Sequence, residues 1–166
     1  MRVAGIDPGT INTGVAIVDG GEKKPALIFS GTIRAGQTKP IAERLQIIYT
    51  ELQEAFQEWK PDLVALEDVF FQKDFKAAVR VGEARAVAML AASMNQIPVV
   101  EYPPARVKQS VCGNGRAAKN QVQYMVRHLL GIKGGLSPDS ADAIAVALCH
   151  FHSEKWGRSR KELSRV

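Results

Sequence analysis

The chain has 166 residues and a mass of 18.1 kDa, with 46% hydrophobic and 23% charged residues. That fits one ordinary domain with its own core and excludes a disordered, collagen-like or wholly coiled-coil chain. Lys and Arg number 22 against 17 acids, and the net charge of +5 permits a nucleic-acid partner without requiring one. Cys112 and Cys149 are too few for a disulfide scaffold and read as small buried apolar residues in a reducing, cytoplasmic setting. No signal-peptide core and no apolar run of roughly 20 residues for a membrane helix is expected. Arg2 to Ile6 is an apolar run of β-formers that stops at Asp7-Pro8-Gly9, the pattern of a buried strand ending in a turn. Thr13 to Val18 is a second strand, closed by Asp19-Gly20-Gly21, and Ala26 to Arg34 is a third. Short turns between them predict an antiparallel meander.

Ile41, Leu45, Ile48, Leu52, Ala55 and Trp59 follow helical spacing, with Pro40 suited to the first turn and Pro61 as terminator. Leu63 to Leu66 is a strand closed by Glu67, and the helix before it implies a crossover to a parallel neighbour. Phe75 to about Asn95 reads as a long alanine-rich helix. Its Val79, Val81, Val87, Met89 and Leu90 spread around the circumference, so burial on more than one side is expected. Pro98 to Glu101 is a further strand, and Ala105 to Val111 a short helix before a Gly113-Asn114-Gly115 turn. Lys119 to Leu130 is a helix capped by Gly131. Ser137 and Pro138 open the last helix as N-cap and first residue, and it is expected to run to about Trp156. Residues 1–156 are expected to form one domain and 157–166 a basic, flexible tail. His128, His150 and His152 share no metal-ligand spacing with a cysteine pair and read as structural or exposed.

Four acids stand where charge is unwelcome. Asp7 and Glu67 end buried strands, and Asp139 and Asp142 lie three residues apart on one face of the last helix. Asp142 sits among Ala141, Ala143, Ile144, Ala145 and Val146, a core-facing run. Asp7, Glu67 and Asp139 each have an ordinary reading alone, as a turn, a lysine partner and a first-turn acid, and Asp142 is the hardest to dismiss. Together, unpaired buried carboxylates cost several kcal/mol and call for a cation. Carboxylates without His or Cys favour a hard divalent ion, Mg²⁺ or Mn²⁺.

Gly5-Ile6-Asp7-Pro8-Gly9 with Thr13-Gly14, Leu66-Glu67-Asp68-Val69-Phe70, Val107-Lys108-Gln109 with Gly113-Asn114-Gly115 and Ala118-Lys119, and Asp139-Ser140-Ala141-Asp142-Ala143 occur in that order. In these motifs, from Arg2 to about His152, the chain resembles the RuvC family of Holliday junction resolvases on the RNase H-like fold. The resemblance implies that Asp7, Glu67, Asp139 and Asp142 are catalytic and metal-binding, with two ions per site. It implies phosphate contacts at Lys108 and Lys119 and selects Phe70 as the aromatic that stacks on an exposed base. Arg116, in the same glycine-flanked loop, is a further DNA-contact candidate. Asp68 stands where family members often carry glutamine. A homodimer and a RuvA–RuvB branch-migration complex are the implied partners.

The fold expected is α/β: a mixed five-stranded sheet with an antiparallel three-strand edge and helices on both faces. The function expected is a structure-selective, divalent-metal-dependent endodeoxyribonuclease that resolves four-way DNA junctions by paired cuts. Ala78, Gly82, Ala86 and Ala91 would allow close helix contact in a symmetric dimer. Three alternatives remain open. One is an RNase H-like nuclease on RNA or hybrid, and another a non-catalytic nucleic-acid-binding module. The third is an actin-like ATPase opening, for which the chain has no room for a second lobe. The tail residues Lys155, Arg158, Arg160, Lys161 and Arg165 read chiefly as a solvated terminus.

Overall fold

The computed structural model describes residues 1–21, 24–68 and 75–163, the last ten of these as backbone only. Strands β1 (Arg2–Asp7), β2 (Asn12–Asp19) and β3 (Ala26–Arg34) form the expected antiparallel meander. After helix α1 (Ile41–Trp59), strand β4 (Leu63–Glu67) pairs parallel to β1, with Ile6 opposite Leu66. Helix α2 (Phe75–Met94) leads to β5 (Val99–Tyr102), parallel to β4. The sheet order is β3-β2-β1-β4-β5, the mixed five-stranded arrangement expected. Helices α3 (Pro104–Cys112), α4 (Lys119–Leu130) and α5 (Pro138–Leu163) follow.

Both faces of the sheet are covered, which is why the central strands read as continuous apolar runs rather than alternating ones. Val3, Ala16, Val18, Ala65 and Tyr102 share one core with α3, α4 and α5. Ala4, Ile6, Val15, Ile17, Val64 and Leu66 share the other with α1 and α2. Successive side chains alternate between faces. Asp7, in phase with Val3, and Glu67, in phase with Ala65, therefore project to the α5 side.

Two helices differ from expectation. Helix α2 buries only Ala84, Ala88, Ala91 and Ala92 fully, and leaves Phe75, Val79, Met89, Leu90 and Met94 exposed. Its alanines let it lie close on the α1 side of the sheet, so its large apolar residues are turned outward instead of being wrapped by the chain. The helix buried on two sides is α5, which packs on β1 and β2 and is covered by α3 and α4. From Ser140 to Phe151 every residue but Asp142 is buried. Helix α5 also continues past Trp156, through Gly157, to Leu163.

Caps follow the expected chemistry. Gly131 ends α4 at φ 63° and Gly113 ends α3 at φ 72°, conformations that a Cβ would strain. The Ser137 hydroxyl accepts from the Ser140 N–H (3.1 Å) at the start of α5 and lies 2.8 Å from the Thr32 hydroxyl of β3. Cys149 is buried, but Cys112 only partly so, because α3 presents it toward Asn114, Ala117 and Gln121 at the surface. His150 is buried with Nδ1 2.7 Å from the Tyr102 hydroxyl, His152 meets the Ser110 carbonyl (2.8 Å), and His128 is exposed. Among the described residues no helix is long and apolar enough to cross a membrane.

Candidate active site

Asp7 and Glu67 follow directly on Ile6 and Leu66, which pair in the parallel ladder, so the two carboxylates end adjacent strands on one edge of the sheet. Thr13 holds the turn after Asp7 by donating to the Gly9 carbonyl (2.7 Å). Helix α5 reaches this edge by close approach. A Cβ at Gly5 would run into the Ala143 carbonyl, and one at Gly14, opposite Asp7, into the Asp139 carbonyl. Two strand glycines thus let the first turns of α5 settle onto β1 and β2 and bring Asp139 and Asp142 over the strand ends. The strand register and the seat of α5 bring all four sequence-predicted acids to one edge of the sheet.

Burial, then the charges of Glu67 and Asp142, push the Asp7 carboxyl up to about 7, against a lowering by Lys119 and with a further rise from Asp139. Burial, then Asp142, push Glu67 up to about 7, with Lys108 and Lys119 opposing. Lys119, the first residue of α4, places its Nζ 2.7 Å from Asp142 Oδ2 and has its own pKa raised by that hydrogen bond. Among the described residues one ammonium in contact thus faces the carboxylate group, and burial with mutual repulsion favours protonation of Asp7 and Glu67.

The donor set is oxygen only, anionic and under-compensated, which fits hard divalent cations. Among the described residues no three Asp, Glu, His or Cys side chains converge tightly enough to cage an ion as they stand. Asp142 is held by Lys119 at 2.7 Å, and the fit to a divalent ion rests on the all-oxygen donor set and its charge.

The family model of crossover junction endodeoxyribonuclease RuvC matches residues 3–150. The chain belongs to the RuvC family. A RuvC of Pelotomaculum thermopropionicum is 46% identical over 162 residues, covering 97% of this chain and 99% of that protein. A RuvC of Thermomicrobium roseum is 45% identical over 152 residues, covering 91% and 93%. Thermus thermophilus RuvC in complex with Holliday junction substrate superposes with a TM-score of 0.87 at 36% identity, covering 95% of this chain and 96% of that one. A yeast mitochondrial Holliday junction resolvase, 11% identical, shares the fold with a TM-score of 0.70. Membership in the RuvC family makes the chain an endodeoxyribonuclease and implies dependence on a divalent metal.

Other RuvC-like positions are less uniform. Lys108 of α3 is half-buried and close enough to Glu67 to lower its pKa. Arg116 is exposed and its backbone N–H donates to Asn114 Oδ1 (2.9 Å); among the described residues it forms no ion pair with the four acids. Phe70 lies outside the described residues. Sequence reasoning passed over Gln109, whose amide clamps the glycine turn by donating to the Gly113 carbonyl (2.9 Å) and accepting from the Gly115 N–H (2.9 Å). It also left Asp68 without a partner, whereas Arg85 of α2 supplies one at 3.7 Å. The signal for Gln109 was its spacing of four from Gly113, the first glycine of the predicted turn.

Proposed function

We propose that this chain cuts four-way DNA junctions by metal-dependent phosphodiester hydrolysis, with Asp7, Glu67, Asp139 and Asp142 holding two ions, Mg²⁺ or Mn²⁺. The observation that carries the reading is the pair of strand-end carboxylates whose charge, among the described residues, Lys119 offsets at Asp7 and Lys108 and Lys119 offset at Glu67. Divalent ions at such a site supply charge stabilisation to the attacking and leaving oxygens of an in-line displacement. The protein's own part is to orient. The β1 and β4 ends fix two carboxylates on a rigid sheet, and α5 brings two more over them. Lys119 holds Asp142 while no metal is bound, and once the carboxylates are neutralised by other cations its ammonium is free for a phosphate oxygen. Lys108, on the Glu67 side, serves a second phosphate. Phe70 is a proposed DNA contact on the family resemblance, and Arg116 on its place in the glycine-flanked loop.

A homodimer supplies the two sites that paired cuts require. The exposed Phe75, Val79, Leu90 and Met94 of α2 support it, as does the open space around Gly82, where a Cβ would meet nothing within 4 Å. Ala86 is exposed there too, but Ala91 faces the core and takes no part. The action proposed is cytoplasmic, in recombination and repair, beside a RuvA–RuvB branch-migration complex. Residues 1–156 are the proposed nuclease domain, with 157–166 as a basic tail.

The test incubates the protein with a synthetic four-way junction, a linear duplex and an RNA–DNA hybrid, with and without Mg²⁺ or Mn²⁺. Metal-dependent, symmetric cutting of the junction alone is expected. Asp7→Asn should abolish cutting while junction affinity, set by the basic surface, stays within about threefold. Preferred cutting of the hybrid, or binding without cutting, would overturn the reading.

A further inference from the structure

Glu67 is the last residue of β4, so its aim depends on what fixes that strand end. Pairing runs on past it: the Asp68 N–H donates to the Tyr102 carbonyl (2.9 Å), and Leu66 and Glu67 lie opposite Glu101 and Tyr102 of β5. Alternation sends Glu67 and Tyr102 to the α5 face, and Asp68 and Glu101 to the α2 face. There the two acids meet one cation. Arg85 of α2 pairs with Glu101, and its Nη2 lies 3.7 Å from Asp68 Oδ1. The Arg85 and Glu101 side chains are only 26% and 32% exposed, and Arg85 Nε is buried with no hydrogen-bond partner among the described residues. Desolvated ion pairs return little net stability, and an orphaned donor returns less. What this pair does supply is geometry.

We propose that Arg85 is a positioning residue for Glu67: from the opposite face of the sheet it ties Glu101 and Asp68 together, locks the ends of β4 and β5, and so fixes the direction of the Glu67 carboxylate. The proposal rests on the reading of Glu67 as a metal ligand. Arg85 touches neither substrate nor reacting atoms. It also assigns a role to Asp68, as the second anchor on the α2 face and not a member of the site. Both contacts are made by Nη2, a nitrogen with two N–H donors held rigidly at the end of a planar group, whereas an ammonium is a rotating point charge.

The test compares wild type with Arg85→Met, Glu101→Gln, the double variant and Arg85→Lys. Two quantities are read: kcat and KM for junction cleavage, and the Mn²⁺ concentration that gives half of the metal-induced rise in Tm of the protein without DNA. Arg85→Met should raise the Mn²⁺ midpoint and lower kcat, each by about tenfold, as loss of outer support for a metal ligand does, with KM nearly unchanged. Glu101→Gln should do the same, and the double variant should be no worse than either single change, because both act through one contact. Arg85→Lys should recover part of the loss. If Arg85→Met does not fold, Glu101→Gln carries the test. A lower Tm in chelator with wild-type Mn²⁺ midpoint and kcat would overturn the proposal, as would additive effects in the double variant. Should wild type fail to cut the junction, the functional reading falls, while the Mn²⁺ midpoint still decides the role of Arg85.

Discussion

Asp142 is half-buried at the edge of an otherwise buried run, and its partner comes from another helix, since Lys119 opens α4. The Lys119 side chain is 59% exposed, so breaking the pair leaves an ammonium that water can receive. Asp142→Asn should therefore change stability in chelator by no more than about 1 kcal/mol. Cleavage should be lost. The wild-type gain of about 2.7 kcal/mol at a hundredfold excess of metal over its dissociation constant should shrink. Melts with chelator and with excess Mn²⁺ measure both, and a loss of several kcal/mol in chelator would mean that the pair is strictly structural. Asp7 and Glu67 extend the argument to pH. Their carboxyls titrate at about 7 in the folded chain and near 4 when unfolded, so between those values the folded chain binds more protons. Their contribution to stability without metal thus falls as pH rises through that window, and the penalty is complete above it. Tm in chelator, taken as wild type minus Asp7→Asn, should decline from about pH 4 to about pH 7. Metal must displace those protons, so the Mn²⁺ midpoint should rise as pH drops below about 7. The four acids were legible because charge at the end of a buried strand, or inside an alanine-rich helix face, contradicts its surroundings. The Lys119–Asp142 pair was not, because no local pattern reports how α4 and α5 cross.

Among the elements, α5 is the one that assembles the site, and its seat on the sheet depends on atoms that are not there. Gly14→Ala would press a methyl into the Asp139 carbonyl and force the first turn of α5 to shift. Backbone on both sides leaves little room to relax, so a stability loss of about 1–3 kcal/mol is expected in urea unfolding. Junction cleavage under fully folded conditions should fall further than that loss explains, because Asp139 and Asp142 move with the helix. Wild-type cleavage in a folded Gly14→Ala protein would show that α5 tolerates displacement. Strand periodicity, the Gly131 cap and the Ser137-Pro138 start of α5 could all be read from local chemistry, and the structure has them within a residue or two. The surroundings of α2 could not. Apolar residues around a helix announce that something covers them, and they do not say whether that cover is the same chain. Alanines at 84, 88, 91 and 92 face inward, and the residues large enough to attract attention face out.

At the scale of the molecule, that outward face is where a second copy would pair. Met89, Leu90, Ile97, Pro98 and Val99 line an open apolar groove of about 600 Å³ at the end of α2, continuous with the exposed Met94. Leu90→Glu places a charge there without touching either core. It should weaken self-association by about 2 kcal/mol, roughly thirtyfold in dissociation constant, as removal of a central apolar anchor does. Sedimentation across a concentration series reads the shift, and cut junctions should then carry single nicks in place of paired ones. An unchanged sedimentation profile would move the dimer contact elsewhere. Charge is distributed unevenly over the two faces, with Lys108 and Lys119 beside the carboxylate edge and Glu51, Glu54 and Glu58 along α1 on the other face.

The carboxylates on β1 and α5 stand at opposite ends of the fold's chain path, since 142 − 7 = 135 residues separate Asp7 from Asp142. On a ribosome adding about 5–20 residues per second, the first acid emerges many seconds before the last. Within that interval the strands and α1 are completed one after another, and α5 does not yet lie across them. If the four acids are the cutting centre, as proposed, a growing chain has none to turn on nearby nucleic acid until the last helix docks.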